Sequence, residues 1–496
     1  MAPLPPDLLE LQAVIEGYAR EFGLDFFEVR YEMLDFRTLN QIAAYDGFPT
    51  RYPHWRFGME YERLSKSYAY GLHRIYEMVI NTNPCYAYLL ASNQRVDQKL
   101  VMAHVCGHSD FFKNNLWFAH TNRRMLDEMA NHAARIRRHV ERHGLEEVED
   151  FLDTCLSLDN LIDIHAVGIR RRPTPMPETD AEREEPETVR RLPAKNYMDA
   201  FINPPEFLAE QQRKLEEAEE QRRRFPEEPE RDVLLFLLEN APLANWQHDL
   251  LDIIREEAYY FAPQRQTKIM NEGWAVFAHT RLMTDKAMTP DELIDYAEHH
   301  SGVVAAQLGR LNPYKLGFEL FRDIEDRWNR GAFGSEYEAC THLEDRRRWD
   351  KKLGLGRQKV FEVRRVYNDI GFIDEFLTED FAREQKLFTF AYDEDSEQYE
   401  IASRKFQDVK RSLLFQLTNF GQPVIEVVDG NHENRGELYL VHRHEGVDLD
   451  VPFAEDTLQN LYKVWGRPVH IETTVEEEGR VLFSHGPEGG VQQTLD

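Results

Sequence analysis

The apolar residues of the first 355 positions recur mostly at helical spacing. Between positions 7 and 22 they include Leu8, Leu11 and Ile15, whose three- and four-residue intervals predict a helix with one buried face. The stretch 61–93 predicts two helical segments separated at Asn83 and Pro84, because proline cannot continue a helix. The pattern therefore predicts a mainly α large N-terminal domain, with further helices at 95–112, 122–142, 147–165, 232–263, 265–284, 290–309 and 315–328.

The hydrophobic period changes after about residue 356. A helix-like segment, "VFEVRRVYNDIGFIDEFL", is followed by short runs in which apolar and polar residues alternate, among them "PVIEVVD", "ELYLVHRH", "RPVHIETTV" and "GRVLFSH". Such alternation, interrupted by turn sequences such as "DGNHENRG", is typical of antiparallel strands. We therefore predict a helical domain at residues 1–355 and a smaller C-terminal α+β domain with an antiparallel sheet at residues 356–496.

One segment, at about 171–231, differs in composition from both predicted domains. Its first part, "RRRPTPMPETDAEREEPETVRRLPAK", is rich in proline and charge and predicts an exposed linker. Its second part, "EQQRKLEEAEEQRRRFPEEPERD", predicts a solvated helix stabilised by Glu–Arg pairs four residues apart. We expect this charged, proline-rich insertion to carry no catalytic residue.

The charge of the chain excludes some classes of partner. The sequence has 89 acidic and 60 basic residues, a formal net charge of −29, which repels nucleic acid and anionic membrane surfaces. No apolar run approaches the length of about 18–20 residues that a bilayer span requires. The N-terminus lacks the basic region of a signal peptide, and the four cysteines lie far apart without a CxxC pair. We expect a cytoplasmic protein with no nucleic-acid partner and no membrane span.

Two histidines lie four residues apart in "KLVMAHVCGHSDFFKNN". On a helix, His104 and His108 are separated by one turn and by about 40° around the axis, so both imidazoles project from one face. A helix can present two imidazoles to one transition-metal ion in this way. The alternative is structural, with one histidine bonded to a backbone carbonyl in the core and the other on a polar face.

A carboxylate and a third histidine interrupt the apolar stretch "TKIMNEGWAVFAHTRLM". Glu272 and His279 are seven residues apart and project within about 20° of each other. An ionised carboxylate in such surroundings is costly unless a cation or hydrogen-bond donors meet it. A metal ion held by His104, His108 and Glu272 would meet this need, with His279 as a fourth ligand or as a hydrogen-bonded support.

The partner of Glu272 and the identity of the metal stay open at this point. A salt bridge to Lys268, four residues earlier, or to Arg265, seven residues earlier, would also neutralise the acid. Imidazole and carboxylate ligands suit zinc, and they also suit Fe, Mn and Ni. We predict a divalent metal cofactor, with zinc as the first choice and Fe or Mn as the alternatives.

Several long blocks resemble the SpoVR family, the stage V sporulation protein R and its relatives. They are "MAHVCGHSDFFKNN", "YYFAPQRQTKIMNEGWAVFAH", "GLHRIYEMVINTNPCYAYL", "MLDEMANHAARI", "YAEHHSGVV" and "NPYKLGFELF", and the resemblance is weakest through 171–231. It implies a part in spore cortex formation in endospore formers, or in stress-related physiology elsewhere. It also implies a PrkA-type serine protein kinase and a von Willebrand-type partner protein as partners.

A second, local resemblance is to the gluzincin metallopeptidases. In those enzymes an HExxH helix gives two histidine ligands, and a later helix containing "NE" gives the third. The same order is present here, with His104 and His108 first and Glu272 later in "NEGWA". Position 105, however, is Val where the gluzincins have the glutamate that activates water. The usual general base is therefore missing.

Other residues are candidates for the missing proton acceptor, which accelerates such reactions by about 10²–10⁴-fold. We predict Glu256 and Glu257, in "IIREEAYYF", as substitute general bases. His132 and His248 are further candidates, for which a structural role is favoured. The segment "EHHSG", residues 298–302, could add a ligand but is more typical of a helix end followed by glycine.

Two hypotheses from different classes follow. The first is a zinc-dependent hydrolase that acts on an amide or peptide bond, with its metal at His104, His108 and Glu272. The second is a non-enzymatic scaffold or regulatory partner of a PrkA-type kinase system, with a structural metal or none. Val105 favours the second, as does the charged insertion, which could serve as a docking segment. An open coordination position distinguishes them, because a hydrolytic zinc keeps a water and a structural zinc has four protein ligands.

Overall fold

The computed structural model describes residues 4–69, 78–169, 204, 206–214, 225–305, 311–393, 398–476 and 479–495. The chain divides into two compact units, the first formed by Met1–Glu149 with Tyr259–Gly421 and the second by Asp150–Ala258 with Gln422–Asp496. Residues 356–421 thus group with the first unit and 150–258 with the second, so this division differs from the domain boundary predicted at 355. Most of the predicted insertion lies outside the described residues, and its described part includes a helix at 206–214.

Helices dominate the chain up to residue 417, as the apolar spacing predicts. No helix in the described ranges combines the length and the apolar composition needed to cross a bilayer. The helices, numbered in chain order, are α1 Pro6–Glu21, α2 Phe36–Ala44, α3 Trp55–Ala69, α4 Arg95–Asn114, α5 Met125–His143, α6 Leu145–Ser157, α7 Val233–Asn240, α8 Asn245–Gln266, α9 Lys268–Leu282, α10 Leu293–Val303, α11 Pro313–Arg330, α12 Gly334–Glu338, α13 Leu343–Arg347, α14 Gly356–Val366, α15 Asp369–Phe376, α16 Glu379–Glu384, α17 Phe406–Leu417 and α18 Val451–Trp465.

A small sheet in the first unit corrects one prediction. The strands β1 Val29–Leu34, β2 Met78–Ile80 and β3 Cys85–Leu90 lie in the order β1-β3-β2, with β1 parallel and β2 antiparallel to β3. The second helical segment predicted within 61–93 is therefore wrong, because Cys85–Leu90 is a strand. This central strand is apolar along most of its length and buried at five of its six positions. A short run of that kind has no period that separates a strand from a helix.

The remaining strands include a five-stranded sheet in the second unit. β4 Thr389–Asp393 and β5 Gln398–Ser403 form a hairpin in the first unit. β6 Ile425–His432, β7 Glu437–His442, β8 Val469–Val475, β9 Gly479–Gly486 and β10 Gly489–Thr494 lie in the order β10-β9-β8-β7-β6. Only the β7–β8 pair of this sheet is parallel. The predicted fold class is confirmed, with a mainly α region followed by a largely antiparallel sheet.

Close helix packing in the first unit depends on three glycines. Gly107 of α4 lies against α9, where an added Cβ would meet the Ala275 Cα at 2.8 Å. Gly273 of α9 faces Gly317 of α11, and a Cβ on Gly273 would lie 2.4 Å from the Gly317 backbone. Since Cβ atoms do not approach other atoms this closely, glycine is required where the helices touch. This explains why Gly273, although glycine is a poor helix former, lies inside the helical stretch 267–283.

Candidate metal centre

The helix α4 is buried on all sides, which forces its polar residues to find partners inside the protein. Every residue from 96 to 112 is buried, including His104 and His108, which are 1% and 4% exposed. Asp110 on the same helix accepts a hydrogen bond from the Trp274 indole at 2.9 Å and pairs with Arg364. A buried helix of this kind keeps polar side chains only where they are matched.

The helix α9 carries Glu272, and its first turn is fixed from outside the helix. Asp369 accepts hydrogen bonds from the backbone N–H groups of Ile269 and Met270 at 2.8 and 2.9 Å. These bonds satisfy two of the free donors at the start of the helix. Burial raises the pKa of Asp369 to about 7, against the opposing effect of the two hydrogen bonds. Glu272 is therefore carried on a helix whose start is held in place.

The two helices bring His104, His108 and Glu272 together. Oε2 of Glu272 lies 3.3 Å from Nε2 of His108 and 3.9 Å from Nε2 of His104, and the two Nε2 atoms are 2.9 Å apart. In the part of the chain that the structure describes, these are the three His, Cys, Asp or Glu residues placed closely enough to share an ion. His108 and Glu272, which are 164 positions apart in the sequence, thus lie side by side in the fold.

The two oxygens of Glu272 have different surroundings. Oε1 accepts a hydrogen bond from Nζ of Lys268, one turn earlier on α9. Oε2 is buried, faces the two imidazoles and has no hydrogen-bond partner. Burial acts to raise the pKa of Glu272, but the attraction of the Lys268 ammonium, the largest opposing effect, holds the pKa well below its usual value. The salt bridge to Lys268, the alternative to a metal ion as partner of Glu272, is thus present, and it engages only Oε1 of the carboxylate.

A neighbouring amide sets the tautomer of His108. Nδ1 of His108 lies 2.9 Å from Oδ1 of Asn271, and since a carbonyl oxygen can only accept, Nδ1 carries the proton. We assign this tautomer from the hydrogen-bond network. Nε2 of His108 therefore presents a lone pair toward His104 and Glu272. Asn271, directly before Glu272, thus prepares an imidazole nitrogen for a cation or for a donated proton.

A second chain of contacts leaves the cluster through the other nitrogen of His104. Nδ1 of His104 lies 2.8 Å from Nδ1 of His279, and Nε2 of His279 lies 3.4 Å from Nδ1 of His300. His279 is completely buried, and burial and the neighbouring His104 lower its pKa well below the usual value. Burial also lowers the pKa of His300. Both rings are therefore neutral, and His279 joins His104 through its Nδ1 and His300 through its Nε2.

The position of His279 matches the second of its two predicted roles. It meets the edge of the His104 ring opposite the nitrogen that faces Glu272. A metal-bound imidazole commonly donates its other N–H to a neighbour, which fixes the orientation of the ring. The placement of His279 thus favours support of His104 by a hydrogen bond over direct ligation.

The residues present fit a divalent transition metal. Metal–nitrogen and metal–oxygen bonds of about 2.0–2.1 Å in tetrahedral geometry place two ligand atoms roughly 3.3 Å apart. The observed separations of 2.9, 3.3 and 3.9 Å lie on both sides of this value. Oε2 of Glu272 is the carboxylate oxygen that Lys268 does not engage and would be the one to bind the ion. Two imidazoles and a carboxylate suit zinc, Fe and Mn alike.

The remaining residues named in the sequence analysis are not among the three that are close enough to share an ion. Glu256 and Glu257 are on α8 in the second unit, half-buried and buried respectively, and their role as general bases stays a prediction. Val105 is completely buried. His132 is completely buried on α5, and His248 is exposed on α8 in the second unit.

Two residues of this region are absent from the sequence prediction, and a third is left open by it. Asp369 carries no signal, because it lies far from Glu272 in the sequence and supports α9 through the backbone. Asn271 does carry a signal, because it is a polar residue in an apolar stretch directly before Glu272. His300 lies in "EHHSG", for which the sequence allows a ligand or a helix end, and the structure places it on α10 beside His279.

The fold and the site together define a mainly helical protein with a buried His–His–Glu cluster carried by two packed helices. The family described as "SpoVR like protein" matches residues 5–422, and "SpoVR-like C-terminal domain" matches residues 423–476. The chain therefore belongs to the SpoVR family. "Uncharacterized protein YcgB" of Escherichia coli (strain K12) is 30% identical over 516 residues, which cover 97% of this chain and 94% of that protein. No solved structure matches the chain.

Proposed function

We propose that this SpoVR protein binds a divalent transition metal, zinc in the first place, and uses it to hydrolyse an amide or peptide bond. The observation that carries the proposal is the unmatched Oε2 of Glu272, which faces two imidazole nitrogens from a position only 6% exposed. The Lys268 hydrogen bond is made by Oε1 and leaves Oε2 on the side of the two imidazoles. Fe and Mn are the alternatives for the same ligand set.

The protein's own residues would divide the work as follows. His104, His108 and Glu272 would hold the ion, while Asn271 and His279 keep the two imidazoles in the orientation that exposes their Nε2 atoms. When bound, zinc supplies a Lewis acid for a carbonyl oxygen and lowers the pKa of its water to about 7.

We place the approach from solvent beside Lys268. Its side chain is 56% exposed, whereas that of Glu272, to which it is bonded, is 7% exposed. The Lys268 ammonium also lies 5.8 Å from the centre of the Tyr314 ring, and Tyr314 in turn stacks near His104 at 6.5 Å. Lys268 and Tyr314 thus cover the centre on one side. A substrate amide would enter by displacing these two side chains, and the Lys268 ammonium would attract a carbonyl oxygen.

The general base remains part of the proposal. Val105 cannot accept a proton, so the acceptor must come from another element than the helix that supplies the two histidines. Glu256 and Glu257 are the candidates that we retain for the general base. We also propose a PrkA-type kinase and a von Willebrand-type protein as partners of this protein. A role in spore cortex formation or stress physiology and a cytoplasmic location belong to the same proposal.

The alternative is a scaffold or regulatory protein with a structural metal. It is favoured by the depth of the cluster and by Val105, since a buried ion without a nearby base is better suited to stability than to turnover. The two functions differ in coordination, because a structural zinc has four protein ligands and a hydrolytic zinc keeps an exchangeable water.

Metal analysis of protein purified without an affinity tag tests the proposal. We expect about one equivalent of metal per chain in the wild type, and strongly reduced metal in His104→Ala and Glu272→Ala. His120→Ala, at an exposed histidine, is the matched control and should retain the metal. A wild type without stoichiometric metal, after reconstitution with zinc, iron and manganese in turn, would refute the metal centre. With metal present, failure to cleave a peptide library while the ion has no exchangeable water would favour the structural alternative.

A further inference from the structure

A cavity of about 410 Å³ lies beside the histidine chain in the first unit. It is bordered by α9, α10 and α11, and its polar lining includes Arg281, Arg322, His300, Glu319 and the hydroxyls of Thr280 and Thr284. The residues of the metal centre are not among those that line it. The cavity thus has its own set of lining residues, and the imidazole chain His104–His279–His300 connects it to the centre.

The two arginines border the cavity with side chains 43% and 56% exposed, and each already pairs with one carboxylate. The Arg281 guanidinium lies 5.7 Å from the centre of the Phe277 ring, and one of its nitrogens bonds Glu325. Arg322 lies 5.4 Å from the Phe318 ring, and its Nη1 bonds Glu319 at 3.2 and 3.3 Å. Within the described residues, the other guanidinium N–H groups of Arg281 and Arg322 have no hydrogen-bond acceptor.

The lining therefore offers more donors than acceptors. Glu319 is the carboxylate among the lining residues, and both of its oxygens already accept from Arg322. Two partly unused guanidinium groups that rest on aromatic rings match a carboxylate or a phosphate, which accept several charge-assisted hydrogen bonds at once. The chain as a whole has a net charge of −29, so two arginines beside one cavity contrast with its excess of acidic residues.

The third donor depends on the direction of hydrogen bonding along the imidazole chain. When Nε2 of His104 donates to His108, Nδ1 of His104 accepts from His279, and His279 in turn accepts from Nδ1 of His300. When Nε2 of His104 is a metal ligand, its proton lies on Nδ1 and every bond of the chain is reversed. His300 then carries its proton on Nε2, the nitrogen not engaged by His279. No proton is gained or lost by the chain in this reversal.

We propose that this cavity binds a small oxyanion and that metal at the centre strengthens its binding through the three imidazoles. The ligand is a carboxylate- or phosphate-bearing small molecule, held by Arg281, Arg322 and the Nε2–H of His300. The cavity site itself does not require the proposed metal, whereas the coupling rests on the proposed function. By linkage, the oxyanion strengthens metal binding by the same factor.

Isothermal titration calorimetry with inorganic phosphate and, separately, with acetate and citrate tests the site and distinguishes the two sources of oxyanion. We expect binding of at least one of them by the metal-free wild type, and binding about tenfold weaker in Arg281→Gln and Arg322→Gln. Arg383→Gln is the matched control, because Arg383 forms an exposed pair with Glu379 on α16. Equal affinity in the wild type and both variants, or no binding of any of these anions, would overturn the site.

The coupling is tested by repeating the titration on zinc-loaded protein. We expect zinc to strengthen oxyanion binding about fivefold or more. We expect His279→Leu, titrated at a zinc concentration that saturates its weakened centre, to remove this gain while the arginine-dependent binding persists. Circular dichroism shows whether the leucine variant keeps the fold, and His300→Gln is a second variant that interrupts the chain nearer the surface. Equal oxyanion affinity with and without bound zinc overturns the coupling. Failure of zinc, iron and manganese in turn to bind instead refutes the metal centre and with it the coupling, and the metal-free titration still decides the cavity.

Discussion

Each compact unit contains a cluster of histidine and carboxylate side chains, and the two clusters differ in what they leave unmatched. On the sheet of the second unit, Nδ1 of His470 lies 2.8 Å from the Ser484 hydroxyl, and Nε2 lies 3.0 Å from a Glu437 oxygen. Both ring nitrogens are satisfied by side chains of neighbouring strands. In the first unit, Oε2 of Glu272 is buried and unmatched beside two imidazoles.

Whether every buried polar atom has a partner distinguishes a binding site from a structural network better than the residue types in the cluster do. Both clusters contain imidazoles and a carboxylate, and both lie at low exposure, with side chains 12–13% exposed at His470 and Glu437. The sheet cluster is complete without a ligand. The helical cluster is not, because a buried polar atom without a partner carries a free-energy cost that a cation would remove. We therefore expect metal binding at the helical cluster and none at the sheet.

The largest expected difference is in metal affinity. Glu272→Gln keeps the size of the side chain and removes its charge, and we expect zinc affinity to fall by more than about 100-fold, because the change removes a ligand rather than one of the supporting residues. Glu437→Gln should leave zinc affinity unchanged. Competition with a chromophoric chelator measures both. Similar losses in the two variants would break the comparison between the clusters.

The next largest effect concerns the residues that orient the imidazoles. Asn271→Leu and His279→Leu should each weaken zinc binding by about 10–100-fold, the usual effect of removing a hydrogen bond to a metal-bound histidine. His470→Leu is the matched control in the sheet and should leave zinc affinity within about twofold. Circular dichroism confirms the fold of each variant. Zinc affinity equal to that of the wild type in Asn271→Leu would show that the Asn271 amide does not set the His108 tautomer.

Two carboxyl groups should respond to pH with opposite sign. The pKa of Asp369 is raised by burial from 3.8 to about 7, so its folded form binds the proton more tightly, and stability is lost as pH rises from about 4 to 7. Burial acts to raise the pKa of Glu437, but His470 and Arg435 outweigh burial, and the pKa is lowered. The contribution of Glu437 to stability is therefore present above the usual pKa of 4.5 and is lost as pH falls.

Denaturant unfolding between pH 4 and 7.5 measures this contrast. Relative to Asp369→Asn, the wild type should lose up to about 1.4 kcal/mol of stability per pH unit within the window. Relative to Glu437→Gln, it should instead lose stability toward the acid end. Curves that stay parallel for the wild type and Asp369→Asn would contradict the assignment for Asp369.

The smallest effect is expected at the sheet cluster itself. Ser484→Ala removes one hydrogen bond to His470, and because both groups are half-buried we expect a loss of about 0.5–1.5 kcal/mol in the free energy of unfolding. Zinc affinity should not change. A loss above about 3 kcal/mol would mean that the sheet cluster, too, contains a group that cannot be left unmatched, and the contrast between the clusters would weaken.

Much of the helical fold could be predicted from the sequence, because amphipathic helices have a period that apolar residues reveal. The cluster of His104, His108 and Glu272 could also be predicted, since a carboxylate inside an apolar run requires a partner that the sequence can be searched for. The strand Cys85–Leu90 could not, because it is apolar at nearly every position. Its identity as a strand depends on the neighbouring strands Val29–Leu34 and Met78–Ile80, which pair with it from other parts of the chain.

The residues around the centre show where such reasoning ends. Asp369 acts through the backbone of α9, and His300 acts through His279, so neither contact follows from residue type or local spacing. The grouping of residues 150–258 with the C-terminal sheet also depends on pairing between distant segments, such as the bridge between Glu230 and Val427. Contacts of this kind are set by tertiary structure alone.

The facing glycines at 273 and 317 have a consequence for how the acid is placed. Side chains adjust to a neighbour by rotating about their bonds, but two backbones in direct contact have no such freedom. The position of Glu272 relative to the histidines is therefore fixed by the backbone contact of the next residue, Gly273, and no change of rotamer can alter that contact. Alanine at position 273 would place its Cβ against the Gly317 backbone, so α9 would have to shift and carry Glu272 with it. The absence of a side chain at Gly273 is therefore as important for the centre as the side chains that form it.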